Sequence, residues 1–202
     1  YYGWVRPVES EFDFVPPSAI IPQTYAQNDV IADPWFAPAG PERGQVPRVE
    51  DTEIRLQRDQ IDQLYGKSVN VIKLSDARGI NLAGNRTFFS NLDSSLSSID
   101  VRRTLVFIIS RTRRIAEDYL FEQADEQTAQ NFRSDIADLL STIQSRNGIR
   151  RYQINISTPR SRGRNDRRPN TLSGTISVIP QPSVEYITVD FTISEEGVEV
   201  IG

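Results

Sequence analysis

Residues 99–120 read IDVRRTLVFIISRTRRIAEDYL, and this stretch decides the fold that we expect for the chain. Apolar side chains recur in it at the three- and four-residue spacing of one helix face, which predicts a long amphipathic helix. Its apolar side is expected to comprise Val101, Leu105, Ile108, Ile109, Ile115, Ala116 and Tyr119. The opposite side is basic and carries Arg102, Arg103, Arg111, Arg113 and Arg114. An ordinary solvated face and a binding stripe both remain open for these arginines.

A second long helix is predicted directly downstream, with Asp125 as its N-cap and Gly148 after its end. Its apolar stripe is expected to comprise Ala129, Phe132, Ile136, Leu139, Leu140 and Ile143. Alternation of apolar and polar residues then predicts three strands, which centre on Tyr152–Ile156, Ile176–Val178 and Ile187–Ile193.

Upstream, residues 1–17 are expected to be an extended lead-in from a preceding domain, and residues 18–202 to form the main domain. The chain does not begin with Met, so we expect it to be a piece of a longer protein. A helix is predicted from an N-cap at Ser18 to about Ala32, followed by a Pro- and Gly-rich loop at 33–47. A second helix is predicted to be capped by Asp51 or Thr52 and ended by Gly66. A buried strand at 69–74 and a hairpin at 78–89 are expected to follow.

This order of elements predicts an α/β (α+β-like) domain with extended terminal arms. In it, a mixed β-sheet packs against the two long helices and several shorter ones. Residues 158–171 are predicted to be a mobile Arg-rich loop, and residues 184–202 a C-terminal strand or arm.

Composition excludes several classes of function. Of the 202 residues, 38% are hydrophobic and 25% charged, which is typical of globular domains. Neither Cys nor His occurs, so disulfides, Cys/His zinc sites and His-activated nucleophiles are excluded, and we expect no cofactor and no enzyme. The net charge of −4 argues against a general nucleic-acid binder. No apolar run reaches the ~20 residues that span a bilayer, so no membrane insertion is expected.

Charge is distributed unevenly near the end of the chain. Residues 146–168 contain eight arginines and one acid, whereas residues 169–202 contain five acids and no base. Complementary patches of this kind steer association, which favours head-to-tail attraction between subunits. A solvated loop beside an acidic tail and a site for an anionic ligand are the alternatives.

Four stretches, in this order, resemble the C-terminal half of phage contractile-tail sheath proteins. They are Val15-Pro16-Pro17-Ser18 with Ala26-Gln27-Asn28-Asp29, Trp35-Phe36-Ala37-Pro38-Ala39-Gly40, Ile99-Asp100-Val101-Arg102-Arg103, and Tyr119-Leu120-Phe121-Glu122. Glu122-Gln123-Ala124 departs from the Glu-Pro-Asn that the family favours, which indicates a distant, jumbo-phage-like branch.

The resemblance implies a structural subunit of the virion, assembled in the host cytoplasm. Hexameric rings of such subunits stack into a helical sleeve around the tail tube protein, between a baseplate and a tail terminator. The sleeve shortens on triggering and drives the tube through the host envelope. The sheath of a bacteriocin or of a type VI secretion system is the nearest alternative, and a soluble anion-binding module is the alternative from another class.

Two sets of partner-binding residues follow as hypotheses. The C-terminal arm is expected to add a strand to a neighbouring subunit through Tyr186, Thr188, Asp190, Thr192 and Glu199. The second long helix, residues 126–146, is expected to contact the tube with its outer side, through Arg133, and with its C-terminal end, through Arg146, Arg150 and Arg151. The segment 35–40 is interpreted as a structural turn that buries Trp35.

Overall fold

The computed structural model describes residues 1–9, 11–75, 79–89, 94–123, 125–157, 172–183, 190–194 and 197–201. These residues form both helices and strands. The helices are α1 (Pro17–Ile31), α2 (Gly40–Arg43), α3 (Arg58–Gly66), α4 (Ile99–Glu117) and α5 (Glu126–Ser145). The strands are β1 (Val5–Pro7), β2 (Val49–Thr52), β3 (Val71–Ser75), β4 (Gly79–Ala83), β5 (Ile149–Ser157), β6 (Ser173–Pro180), β7 (Asp190–Ser194) and β8 (Gly197–Ile201). The expected α/β class is confirmed.

The described strands form four antiparallel pairs, β1–β2, β3–β4, β5–β6 and β7–β8, instead of the single mixed sheet expected from the sequence. The pairs β3–β4 and β7–β8 join strands that are only three and two residues apart along the chain. Parallel pairing requires a crossover connection of about a dozen or more residues, so these strands can pair only antiparallel.

One hydrophobic core lies among β1, β3, β4 and α1, and we call this part the N-terminal lobe. It contains Val5, Ile21, Val46, Ile72, Ile80 and Leu82. Val5 is fully buried in it, although it belongs to the stretch expected to be a lead-in. Helix α1 has Pro16 at its N-cap position in place of the expected Ser18, because the fixed φ of Pro17 suits the first helical residue.

The predicted caps of α3 are wrong, because Asp51 and Thr52 lie in β2. The Asp51 carboxylate accepts the Thr52 amide at 2.8 Å, and this bond, with one from Arg55, holds the pKa of Asp51 below its usual value. The helix begins at Arg58, where the Gln57 amide donates to Gln60 Oε1 at 2.9 Å and satisfies an exposed backbone donor.

A second core lies among α4, α5 and the β5–β6 pair, and we call this part the helical lobe. Its buried residues are Trp35, Ile108, Ile136, Leu140, Ile143, Ile149 and Ile154. The Asp125 carboxylate accepts the Thr128 amide at 2.9 Å, which confirms the predicted N-cap of α5. The apolar stripe of α5 and the alternation along β5 are also confirmed.

Helix α4 differs from its prediction in length and in one side chain. It ends at Glu117 instead of Leu120. Ile109 was expected on the apolar side but is 50% exposed, whereas Ile108 is buried. Adjacent residues are about 100° apart around a helix, and the inward face centres on Val101, Thr104 and Ile108.

Candidate interaction surfaces

Trp35, in the turn that follows α1, is buried in the core of the helical lobe. Its ring is 6% exposed and packs edge-on against Phe107, with ring centroids 5.8 Å apart. Its Nε1 donates to the carbonyl of Arg146 at 2.9 Å. A Cβ atom on Gly148 would lie 2.8 Å from Cδ2 of Trp35, so only glycine fits there. The burial agrees with the interpretation of residues 35–40 as a structural turn.

Arg146 is one of the residues predicted to contact a tube, and it is engaged within the chain. One of its Nη atoms lies 2.9 Å from the Asp33 carboxylate, and its guanidinium lies 5.6 Å from the centroid of the Trp35 ring. The side chain therefore covers the indole and neutralises Asp33. A charge reversal at Arg146 would disturb this junction as well as any external contact.

The other three predicted cationic residues are exposed. Arg150 and Arg151 lie at the start of β5, shortly after Arg146, and the Arg150 Nε donates to Gln181 Oε1 at 2.9 Å. Arg133 lies ~20 Å away along α5, since thirteen residues at about 1.5 Å each separate it from Arg146. It lines a groove between α5 and β5 with Ala137, Tyr152, Gln153, Ile154 and Asn155.

The basic side of α4 is divided between internal and external contacts. Arg103 pairs with Asp29 at the end of α1 and stacks on the ring of Tyr25, 5.1 Å from its centroid. Arg111 lies 5.2 Å from the centroid of Phe107. Arg102, Arg113 and Arg114 are exposed. Part of the arginine face is therefore used to hold the lobes together.

A buried carboxylate lies at the start of α4. Asp100 is 1% exposed, and its Oδ1 accepts the Asn85 Nδ2 at 2.9 Å and the Val101 amide at 2.9 Å. The Ser183 hydroxyl donates to its other oxygen. These hydrogen bonds join Asp100 in α4 to Asn85, which follows β4, and to Ser183, which follows β6. The sequence gives one signal for this network, an acid in the first turn of a helix.

The predicted neighbour-binding arm is described in part. Strands β7 and β8 pair with each other, and in that register Thr192 faces Glu199 and Asp190 faces Ile201. Tyr186 and Thr188 lie outside the described residues, as does the predicted Arg-rich loop at 158–171. Within the described residues, no further strand pairs with this hairpin.

The described part of the chain contains no group of three or more acidic side chains placed to hold a metal ion. The hydrogen bond from Tyr119 to Asp135 raises the pKa of Tyr119 to about 12, so this phenol stays protonated at neutral pH. Among the described helices, none has the length and hydropathy needed to cross a membrane.

Comparisons with known proteins relate the chain to one group. No family model matches it. It is 28% identical over 186 residues to the tail sheath protein of Enterobacteria phage T4, and 29% identical over 192 residues to the tail sheath protein of Vibrio phage KVP40. These alignments cover 92% and 94% of this chain, but the chain spans only 28% of the length of each phage protein.

Solved structures show the same fold at lower sequence identity. A chain of the anti-feeding prophage (AFP) baseplate superposes with a TM-score of 0.82 at 22% identity, covering 95% of this chain and 53% of that one. A chain of the PVC sheath complex in its contracted state gives 0.81 at 20% identity, covering 97% and 56%. In sequence and in fold, the chain is therefore related to the contractile-tail sheath proteins.

Proposed function

We propose that this chain is part of a structural subunit of a contractile phage tail sheath, which polymerises as hexameric rings into a helical sleeve around a tail tube. The observation that carries the proposal is the sequence similarity to two phage tail sheath proteins over more than nine tenths of the chain. It favours a phage tail over an injection machine, because both of these relatives come from phages. A non-enzymatic role agrees with the absence of Cys and His.

Electron microscopy tests this function directly. The full gene product that contains this chain should form striated sleeves of uniform diameter when it is produced together with its tube protein. A purified product that stays monomeric at high concentration, with and without the tube protein, would contradict the proposal. In that case the anion-binding module becomes the leading interpretation.

The C-terminal hairpin is the proposed link between neighbouring subunits. Its two strands pair only with each other among the described residues, so each strand retains an edge that can accept or donate a further strand. Tyr186, Thr188, Asp190, Thr192 and Glu199 would then lie along the shared sheet. If the hairpin serves only as this link, its loss should stop assembly without unfolding the chain.

We expect deletion of residues 197–202 to stop sleeve assembly while the melting temperature stays nearly unchanged. The double variant Val198→Pro/Val200→Pro should act similarly, because proline lacks the N–H that a strand pair requires. The matched control Val198→Thr/Val200→Thr retains those N–H groups and β-branched side chains, and should assemble normally. Normal sleeves from the deletion would contradict the strand-exchange proposal.

The exposed arginines that follow α5, at the start of β5, are the proposed contact with the tube. Single surface ion pairs contribute only about 0–1 kcal/mol, but every subunit of a sleeve repeats them. A weak repeated contact can hold an extended sleeve and still release it during contraction. Arg150 and Arg151 are the residues to test, because Arg146 is also bound to Asp33 and Trp35.

We expect Arg150→Glu/Arg151→Glu to yield sleeves that are empty or already contracted, counted by electron microscopy. Arg58→Glu/Lys67→Glu is the control, since it makes the same change of charge at exposed residues of the α3 region. If extended, tube-filled tails form in normal number from the first variant, the grip lies elsewhere. Arg133 and the outer face of α4 are then the next candidates.

A further inference from the structure

An exposed apolar tip joins α4 to α5. Phe121 is fully exposed and Leu120 is 62% exposed. The backbone of Phe121 has φ +71°, a conformation that bulky L-residues rarely adopt. Large apolar side chains of this kind, grouped and held outward, mark protein interaction sites more often than scattered single ones do.

The tip is framed by acids. Between residues 115 and 132 the chain contains Glu117, Asp118, Glu122, Asp125 and Glu126 and no basic residue. Glu117, Asp118 and Glu122 are exposed beside Leu120 and Phe121 in the chain. We call these three acids and the two apolar residues the acidic tip. It fits a partner surface that is apolar in the middle and basic at its margins.

The outer face of α4 has that composition. Arg102, Val106, Ile109 and Arg113 follow each other at four- and three-residue spacings on the side opposite the core, so they form one stripe. Val106 is 64% exposed and Ile109 is 50% exposed, with an exposed arginine at each end. We call these four residues the basic stripe. Val30 and Ile31, also exposed, lie at the end of α1, which is joined to α4 by the ion pair of Arg103 with Asp29.

The tip does not cover the stripe of its own chain, because Phe121 is fully exposed and Val106 and Ile109 remain at least half exposed. We propose that the acidic tip of one copy docks on the basic stripe of a second copy. The two surfaces are complementary, because their apolar residues can pack together while the acids of the tip face the arginines of the stripe. The contact joins two different surfaces, so it is head-to-tail and can continue from copy to copy. The same contact could also close two copies into a pair. We expect an open series of copies because the proposed function is a helical sleeve.

The absence of cysteine from the chain permits a direct test. The variant Ile109→Cys/Phe121→Cys, oxidised in concentrated solution, should give a ladder of disulfide-linked dimers, trimers and larger species on a non-reducing gel. Ile109→Cys/Phe88→Cys is the matched control, because Phe88 is as exposed as Phe121 but lies outside the tip. A yield no higher than that of the control would overturn the proposal. Dimers without larger species would show that two copies form a closed symmetric pair, and would contradict the head-to-tail series.

Charge reversal gives an independent measurement in the same cysteine background. Either Glu117→Arg/Glu122→Arg or Arg102→Glu/Arg113→Glu should lower the cross-linked fraction at least threefold, and combining all four should restore it. Unchanged yields in the single-surface variants, or no restoration in the combination, would contradict the pairing of these two surfaces. A disulfide ladder from a protein that forms no sleeves would support this contact and contradict the sheath function. Sleeves from a protein that gives no ladder would support the sheath function and contradict this contact.

Discussion

Replacing Trp35 with alanine should lower the free energy of unfolding by about 3–5 kcal/mol, the range measured for truncating large buried aromatic side chains. The ring is 6% exposed, contacts Phe107 and is covered by Arg146, so its removal leaves a cavity in the core of the helical lobe. It also leaves the Arg146 carbonyl without the indole donor at 2.9 Å. Unfolding in urea, followed by circular dichroism, measures the change.

The chain has only one other tryptophan, which provides a matched control. Trp4 is 48% exposed, so Trp4→Ala should destabilise by less than about half as much as Trp35→Ala. Trp35→Phe retains an aromatic ring but loses the N–H donor, which should lower stability by about 1–2 kcal/mol. Equal effects at Trp4 and Trp35 would show that Trp35 does not anchor the turn after α1 in the core of the helical lobe.

Replacing Asp100 with alanine should destabilise the chain by about 3 kcal/mol. Hydrogen bonds to a charged group contribute roughly 1.5–3 kcal/mol each, and the change removes the acceptor from Asn85 and from Ser183. Asn85 is itself buried, so its amide would lose its partner out of reach of solvent. Denaturant unfolding at neutral pH measures the loss.

Two further variants separate this network from a general effect of charge. Asp100→Asn retains one acceptor oxygen and should lose less than the alanine variant. Asp118→Ala removes an exposed acid at the other end of α4, where the helix dipole disfavours negative charge, so stability should stay within about 0.5 kcal/mol. If Asp100→Ala behaved like Asp118→Ala, the buried network would have no role in stability.

Much of the fold could be predicted because its signals are local. The periodic stripe of α5, its Asp125 cap and the alternation of Tyr152, Ile154 and Ile156 each depend on residues within about four positions of one another. The Pro- and Gly-rich segment after α1 likewise indicated a turn that presents Trp35 to a core. The sheath-like motifs were recognisable in the sequence for the same reason.

The prediction failed where several local solutions compete. Asp51 and Thr52 are acceptable helix caps by sequence, yet pairing of β2 with β1 places them in a strand. Ile108 and Ile109 are equally apolar, and only the position of the inner face decides which one is buried. The strands carry the expected alternation, but alternation does not determine which strand edges pair, and the described strands form four separate pairs instead of one sheet.

The sequence by itself determined the element types, the buried tryptophan turn and the relation to sheath proteins, because each of these is written in short-range pattern or motif. Only the tertiary structure decided which charged residues are free to act. Arg146 lies 111 positions from Trp35, and Asp100 lies 83 positions from Ser183, yet both pairs are in contact. The partner of a charged side chain depends on which surfaces fold together, and nothing in the spacing along the chain encodes it.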